Sequence, residues 1–170
     1  MNIPNLLTAA RFLLIPVFAY NLYDDRYITA AILFTVAGLT DILDGYIARK
    51  YNKVTAWGKI ADPAADKLMQ ITALVLLTLK HLKYLPILII VAVKELFMGI
   101  GSLFLYKKDN YVVSANWYGK MATVIFYFAI IMIIFKVEYS EIFILLALAA
   151  TLFAFFMYLI SFKKIRKLDK

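Results

Sequence analysis

Six stretches of the chain stay apolar for about twenty residues each, the length a helix needs to cross the hydrocarbon core of a bilayer. They run over 6–23, 28–48, 62–80, 84–106, 117–136 and 140–162. Backbone polar groups in lipid must be satisfied within the segment, so runs of this kind predict helices. The composition agrees. Of 170 residues 64% are apolar and 18% charged, whereas a soluble domain carries nearer a quarter charged residues. The connectors "YDDRY" (23–27), "KHLK" (80–83) and "KVEYSE" (136–141) are short, and "KKDNYVVSANW" (107–117) is longer. Short connections make consecutive helices antiparallel neighbours. No internal repeat or low-complexity linker interrupts the pattern. The chain 1–170 is therefore expected to be one domain, all-α and integral to the membrane, a six-transmembrane helix bundle.

The net charge is +8. On a soluble protein that would raise nucleic acid as a partner. Here the cations cluster at the ends of apolar segments, so the expected partner is membrane lipid and no nucleic acid. Arg49, Lys50, Lys53, Lys59, Lys107, Lys108 and the tail "KKIRK" (163–167) fall on one side, while Arg26, Lys80, Lys83 and Lys136 fall on the other. The richer side is expected to be cytoplasmic, which puts both termini of a multi-pass cell-membrane protein there. Tyr23, Tyr27, Tyr84, Tyr106, Trp117 and Tyr139 stand near segment ends, as interfacial aromatics do. The opening "MNIPNLLTAARFLLIPVF" lacks a basic leader region, so the first segment reads as retained. Cysteine is absent, and the single histidine, His81, reads as an interfacial residue without ligand partners.

Against this apolar background, "TDILDGYIARKYNKVTAWGKIADPAADK" (40–67) holds four of the chain's 11 acidic residues, Asp41, Asp44, Asp62 and Asp66. Asp41 and Asp44 share a helix face near the end of the second segment. Asp62 and Asp66 share one at the start of the third. The basic loop between them brings all four to one side of the membrane, the cytoplasmic one. Gly45 and Ala48 lie on the Asp41 face and let a backbone or ligand come close. Asp62 before Pro63 suits a helix N-cap. Capping leaves the other three unexplained. One charged group inside the membrane costs at least about 2.5 kcal/mol, so four carboxylates call for counter-charge. Oxygen ligands favour Mg²⁺, Mn²⁺ or Ca²⁺, and two such ions about 4 Å apart form the usual clamp for phosphoryl chemistry. Metal-dependent prenyltransferases and cation transporters also carry intramembrane acids, and the aspartates alone leave these open.

The intervening residues are more specific. Asp41-x2-Asp44-Gly45-x2-Ala48-Arg49-x8-Gly58-x3-Asp62-x3-Asp66 resembles, without a gap, the signature of the CDP-alcohol phosphotransferase (phosphatidyltransferase) family. "NIPNLLTAARFLLIPV" resembles the opening of its phosphatidylglycerophosphate synthase and cardiolipin synthase branches. The resemblance implies an enzyme in which an alcohol displaces CMP from CDP-diacylglycerol. It implies two divalent ions, Mg²⁺ or Mn²⁺, on Asp41, Asp44, Asp62 and Asp66, with Asp66 also the catalytic base. It implies that Gly45, Ala48 and Gly58 leave room for CDP-diacylglycerol and that Arg49 pairs with its diphosphate. Thr8 and Arg11 are further candidates at the nucleotide, although Arg11 could instead snorkel to the interface. A homodimer is implied as well.

The acceptor turns on cations. Where the glycerophosphate-using branch carries an Arg-Glu pair and a second Arg, this chain has Lys94-Glu95 and Ser102. Where that branch carries Gly-Lys-x-Lys-Thr, this chain has Gly119-Lys120-Met121-Ala122-Thr123. Lys94 and Lys120 are the expected acceptor-binding residues, with Glu95 the salt-bridge partner of Lys94. Glycerol 3-phosphate is the first acceptor and phosphatidylglycerol the alternative.

Overall fold

The computed structural model describes residues 3–51, 55, 58–109 and 117–168, and within them not the side chains of 3, 49, 59, 101–109 and 161–168. The described residues form six helices and no strand. These are α1 (Ile3–Tyr23), α2 (Tyr27–Lys50), α3 (Gly58–Lys80), α4 (Leu85–Asp109), α5 (Trp117–Ile134) and α6 (Ser140–Leu168), with one 3₁₀ turn at Leu82–Tyr84. Each apolar run of the sequence is one helix. The differences lie at the ends: α3 starts at 58 rather than 62, and α4 and α6 continue past 106 and 162.

The earlier start of α3 corrects one expectation. Asp62 does not cap the helix, because it lies inside it. The Gly58 N–H donates instead to Thr55 Oγ1 at 2.9 Å, the contact an N-cap side chain makes three residues on. Pro63 likewise lies within the helix, where its missing N–H leaves the Lys59 carbonyl without an i+4 donor.

Helices α1, α2, α5 and α6 are long and apolar enough to cross a membrane. Large apolar side chains cover the outside, among them Leu13, Ile32, Leu39, Phe97, Leu145 and Phe153. Such a surface is stable against lipid and not against water. Helix α3 differs, with Lys59, Asp62, Asp66 and Lys67 in its first half. It packs against α1, α2, α4 and α5, and its Asp66 and Gln70 are buried.

Two of the hairpin turns close in the same way. At the end of α1 the Asp25 N–H bonds the Leu22 carbonyl and the Arg26 N–H the Asn21 carbonyl. At the end of α5 Lys136 and Val137 bond Ile133 and Met132 in the same pattern. These are Schellman closures, and Asp25 and Lys136 take the left-handed position, with φ of 61° and 52°.

The interior joins Phe18 and Leu22 of α1, Phe34 and Ala37 of α2, Met69 and Ala73 of α3, Phe126 and Ile130 of α5, and Ile144 and Ala147 of α6. The alanines let backbones approach closely, which matters where lipid removes most of the hydrophobic drive for helices to associate. Phe34 lies 5.3 Å from Phe18 and stacks at 4.5 Å on Tyr127. One turn along α2, a Cβ on Gly38 would stand 2.9 Å from Tyr127 Cε1, whereas one on Gly99 would meet nothing within 4 Å. Both glycine-to-alanine changes gain about 1 kcal/mol of helix propensity. Gly38→Ala alone must push an aromatic ring aside. Thermal unfolding in detergent should therefore find Gly38→Ala less stable than Gly99→Ala by about 1–3 kcal/mol, and equal stability would contradict the seating of Tyr127.

Candidate active site

The four aspartates reach one end of the bundle from two adjacent helices. Asp41 and Asp44 come from the second half of α2, and Asp62 and Asp66 from the first half of α3. Asp41 lies within electrostatic reach of Asp62, Asp66 and Lys67. What joins them is α1. Arg11 has no exposed surface, and its guanidinium donates from Nη1 to Asp41 Oδ1 at 2.8 Å and from Nη2 to Asp44 Oδ2. Arg11 thus does not snorkel to the interface. It lies across the two carboxylates. One turn earlier on α1, the buried Thr8 hydroxyl meets Asp62 Oδ1 and the Pro4 carbonyl. Near the start of the same helix, Asn5 Oδ1 accepts a hydrogen bond from Thr55 at 2.9 Å. A Cβ on Gly58 would come within 3.0 Å of Thr55 Oγ1, 3.3 Å of Asn5 Oδ1 and 3.6 Å of Asp62 Oδ2. Gly58 is therefore where α3 closes on α1, beside the carboxylates.

Asp66 is held on both oxygens. Gln70, one turn on, donates to Oδ2 at 2.9 Å, and the Tyr127 hydroxyl of α5 donates to Oδ1 at 2.9 Å. Lys67 stands 3.8 Å from Asp66 Oδ2 and 3.2 Å from Glu95 Oε1 of α4, and Glu95 also pairs with Lys94. A chain of alternating charge thus leads from Asp66 through Lys67 and Glu95 to Lys94.

Of the residues singled out in the sequence, Thr8, Arg11, Asp41, Asp44, Gly58, Asp62 and Asp66 come together. Ala48 is buried farther along α2 and Gly45 is partly so. Lys94 joins through Glu95. Lys120 does not join: its side chain is exposed on α5. The side chains of Arg49, Ser102, Lys107 and Lys108 lie outside the described residues. Sequence reasoning missed Lys67, Gln70 and Tyr127. The first two carry a signal in hindsight, since they follow Asp66 by one and four residues on a helix that must face inward. Tyr127, one of 12 tyrosines, has none.

Five acids (Asp41, Asp44, Asp62, Asp66, Glu95) and three cations (Arg11, Lys67, Lys94) make up the cluster of contacts, an excess of two negative charges within it, while Lys50 and Lys120 lie exposed at the same end. Asp44 Oδ1 is buried with no hydrogen-bond partner. An acceptor oxygen so placed, among carboxylates with net negative charge, suits a hard divalent cation. In this arrangement no three acids among the described residues are gathered closely enough to hold an ion, because Arg11 stands between two of them.

A membrane-embedded helical bundle with an arginine–aspartate cluster at one end is the class that fold and site define. A family model matches residues 1–155, that of CDP-alcohol phosphatidyltransferase. The chain belongs to that family, which separates it from the prenyltransferase and transporter alternatives. A relative from Rickettsia felis is 40% identical over 117 residues, 66% of this chain and 65% of that protein. One from Pseudomonas fluorescens is 50% identical over 84 residues (48% and 43%), and one from Bacillus subtilis 36% over 137 (72% and 70%). Each of the three is named CDP-diacylglycerol–glycerol-3-phosphate 3-phosphatidyltransferase. The chain spans a little under two-thirds of the length of the Rickettsia relative.

Removing one partner of a buried ion pair leaves a charge uncompensated, at about 3–5 kcal/mol. Arg11→Met should therefore lower the thermal unfolding midpoint far more than Lys120→Met on the exposed face of α5. Equal midpoints would show that Arg11 does not hold the two helices.

Proposed function

We propose that this protein transfers the phosphatidyl group of CDP-diacylglycerol to the 1-hydroxyl of glycerol 3-phosphate, giving phosphatidylglycerophosphate and CMP. The observation that carries the reading is the end of the bundle where Asp66, held on both oxygens, adjoins the Lys67–Glu95–Lys94 chain. An acid that can accept a proton thus stands beside cations that can hold a phosphate. The names of the relatives support the same reaction.

In this reading the acyl chains stay in lipid while the diphosphate enters among α1, α2 and α3. Thr8, Arg11, Gly45, Ala48, Arg49 and Gly58 line its binding site, and Arg11 and Arg49 offer guanidinium forks to its oxygens. Two divalent ions, Mg²⁺ or Mn²⁺, held by Asp41, Asp44, Asp62 and Asp66, would neutralise charge on the diphosphate and on the departing CMP. Lys94 binds the acceptor phosphate, and Lys67 supplies a cation that the sequence pattern did not lead one to expect. Lys120, exposed and apart, has a lesser part. Asp66 takes the hydroxyl proton as the acceptor oxygen bonds to the lipid-side phosphorus, and the bond from that phosphorus to the CMP oxygen breaks with its electron pair. Tyr127 and Gln70 keep the carboxylate aimed. The chain 1–170 acts as one domain in a homodimer within the cell membrane, with its site and both termini cytoplasmic, as the lysine and arginine bias supports.

Purified protein given CDP-diacylglycerol, Mg²⁺ and glycerol 3-phosphate should release CMP and form phosphatidylglycerophosphate, and EDTA should stop it. Product from phosphatidylglycerol and none from glycerol 3-phosphate would replace this acceptor, and no CMP with either would end the proposal. Asp66→Asn should cut kcat by at least about 100-fold. Lys67→Gln should raise KM for glycerol 3-phosphate about tenfold or more, the worth of a charged hydrogen bond, and leave KM for CDP-diacylglycerol unchanged. A shift in both constants would remove Lys67 from the acceptor site.

A further inference from the structure

At the end of the bundle away from the aspartates, the turns α1–α2, α3–α4 and α5–α6 enclose a cavity of about 210 Å³. Tyr27, at its wall, opens α2, and about 25 Å of that helix separates it from Asp44. Lys80, Lys83 and Lys136 line the cavity, together with His81, Tyr27 and Tyr84, over a floor of Leu77, Ile133 and Ile134. Two of the lysines have acidic partners. Lys80 donates to Asp25 and, at 3.0 Å, to the Tyr23 carbonyl, and Lys83 pairs with Glu141. Lys136 has no carboxylate within ion-pair distance among the described residues. Its Nζ sits 4.4 Å over the Tyr27 ring.

The lining itself holds three lysines and no carboxylate, although Asp24, Asp25, Arg26, Glu138 and Glu141 in the same turns balance the charge of this end as a whole. The hydrogen bonds from Lys80 and then Tyr27 hold Asp25 below the usual carboxylate range, so that pair stays ionised. Asp25 and Lys136 are the left-handed residues of the two Schellman closures, and Tyr139, the third non-glycine residue with positive φ among the described residues, belongs to the same α5–α6 turn, so these turns hold the rim of the cavity in place. A glycine would suit the left-handed position after α5 more easily, yet a lysine stands there and is aimed across Tyr27. An apolar floor, an aromatic wall and a cationic rim at a membrane interface match one kind of ligand in each part. Acyl chains suit the floor, and a phosphate suits the rim.

The geometry points to a binding site for an anionic phospholipid here, with its headgroup phosphate on Lys136 and Lys83 and its chains in the leaflet opposite the aspartates. The site lies outside the proposed chemistry and does not depend on it.

The test uses the delipidated full chain in detergent, titrated with phosphatidylglycerol or phosphatidylcholine and read by native mass spectrometry. Wild type should retain phosphatidylglycerol in preference to phosphatidylcholine. Lys136→Gln should weaken that retention about fivefold, the worth of one interfacial lysine. Lys83→Gln, a change at an exposed side chain, should weaken it to a similar degree if Lys136→Gln does not fold. Wild-type retention in both variants would overturn the site. Displacement of the lipid by equimolar inorganic phosphate would overturn the lipid assignment in favour of a free anion. Retention lost in Asp44→Asn and kept in Lys136→Gln would place the lipid at the carboxylate end and overturn the proposal.

Discussion

A guanidinium with no exposed surface lies across two aspartates, and the rest of this bundle is arranged around that contact. In lipid, apolar side chains gain little by leaving the solvent for one another, so they specify partners poorly. Charged groups specify them strongly, because an unpaired one is so costly. Arg11 fixes α1 against α2 through Asp41 and Asp44. Thr8, on the same face of α1 a turn away, fixes it against α3 through Asp62. One short polar stripe on an otherwise apolar helix therefore decides which two helices lie beside it, and it draws together acids that are twenty residues apart in sequence.

The pairing is incomplete, and the deficit is informative. Arg11 can give its two terminal nitrogens to two carboxylates, but one oxygen of Asp44 and its own Nε are left without partners. Within the cluster of contacts the acids outnumber the cations by two. A cluster selected for stability alone would end neutral, or would be replaced by packed apolar groups at no loss. A cluster that keeps spare acceptor oxygens and negative charge is suited to take up a cation, and the present arrangement, with arginine in the gap, is one that a cation must compete with. The same reasoning applies to Asp66. Tyr127 and Gln70 each take one direction at one of its oxygens and leave further lone pairs open.

Much of this could be read from the residues. Helix number and order follow from apolar run length because the bilayer thickness sets a single scale. The two aspartate pairs follow from helical spacing. What could not be read depends on which faces meet. Asp62 before Pro63 looked like a cap because proline favours a first turn, but Thr55, in a stretch with no helical pattern, makes the capping contact and starts α3 a turn sooner. That leaves the Asp62 carboxylate to Thr8. Lys94 was visible as a replaced arginine. Lys67 stands beside Asp66 in sequence, but neighbours on a helix point in different directions, so its place next to the acid does not by itself tell what it pairs with. Its reach to Glu95 is a property of the α3–α4 contact. Tyr127 is legible only once Gly38 and Phe34 are seen to shape a slot for its ring.

The two ends of the bundle solve different problems. At one, the connectors 24–26, 81–84 and 135–139 are short, two of them are locked by paired backbone hydrogen bonds, and the helix spacing there is fixed by the chain itself. At the other, longer connections join α2 to α3 and α4 to α5, and the side chains of Arg11, Thr8 and Tyr127 tie the helices to one another. A site built this way can exchange one set of polar partners for another without breaking backbone structure, since the closed end keeps the helices in register. The apolar exterior of the helices and the charged cluster among them belong to one bundle, so the acids keep their counter-charges within it.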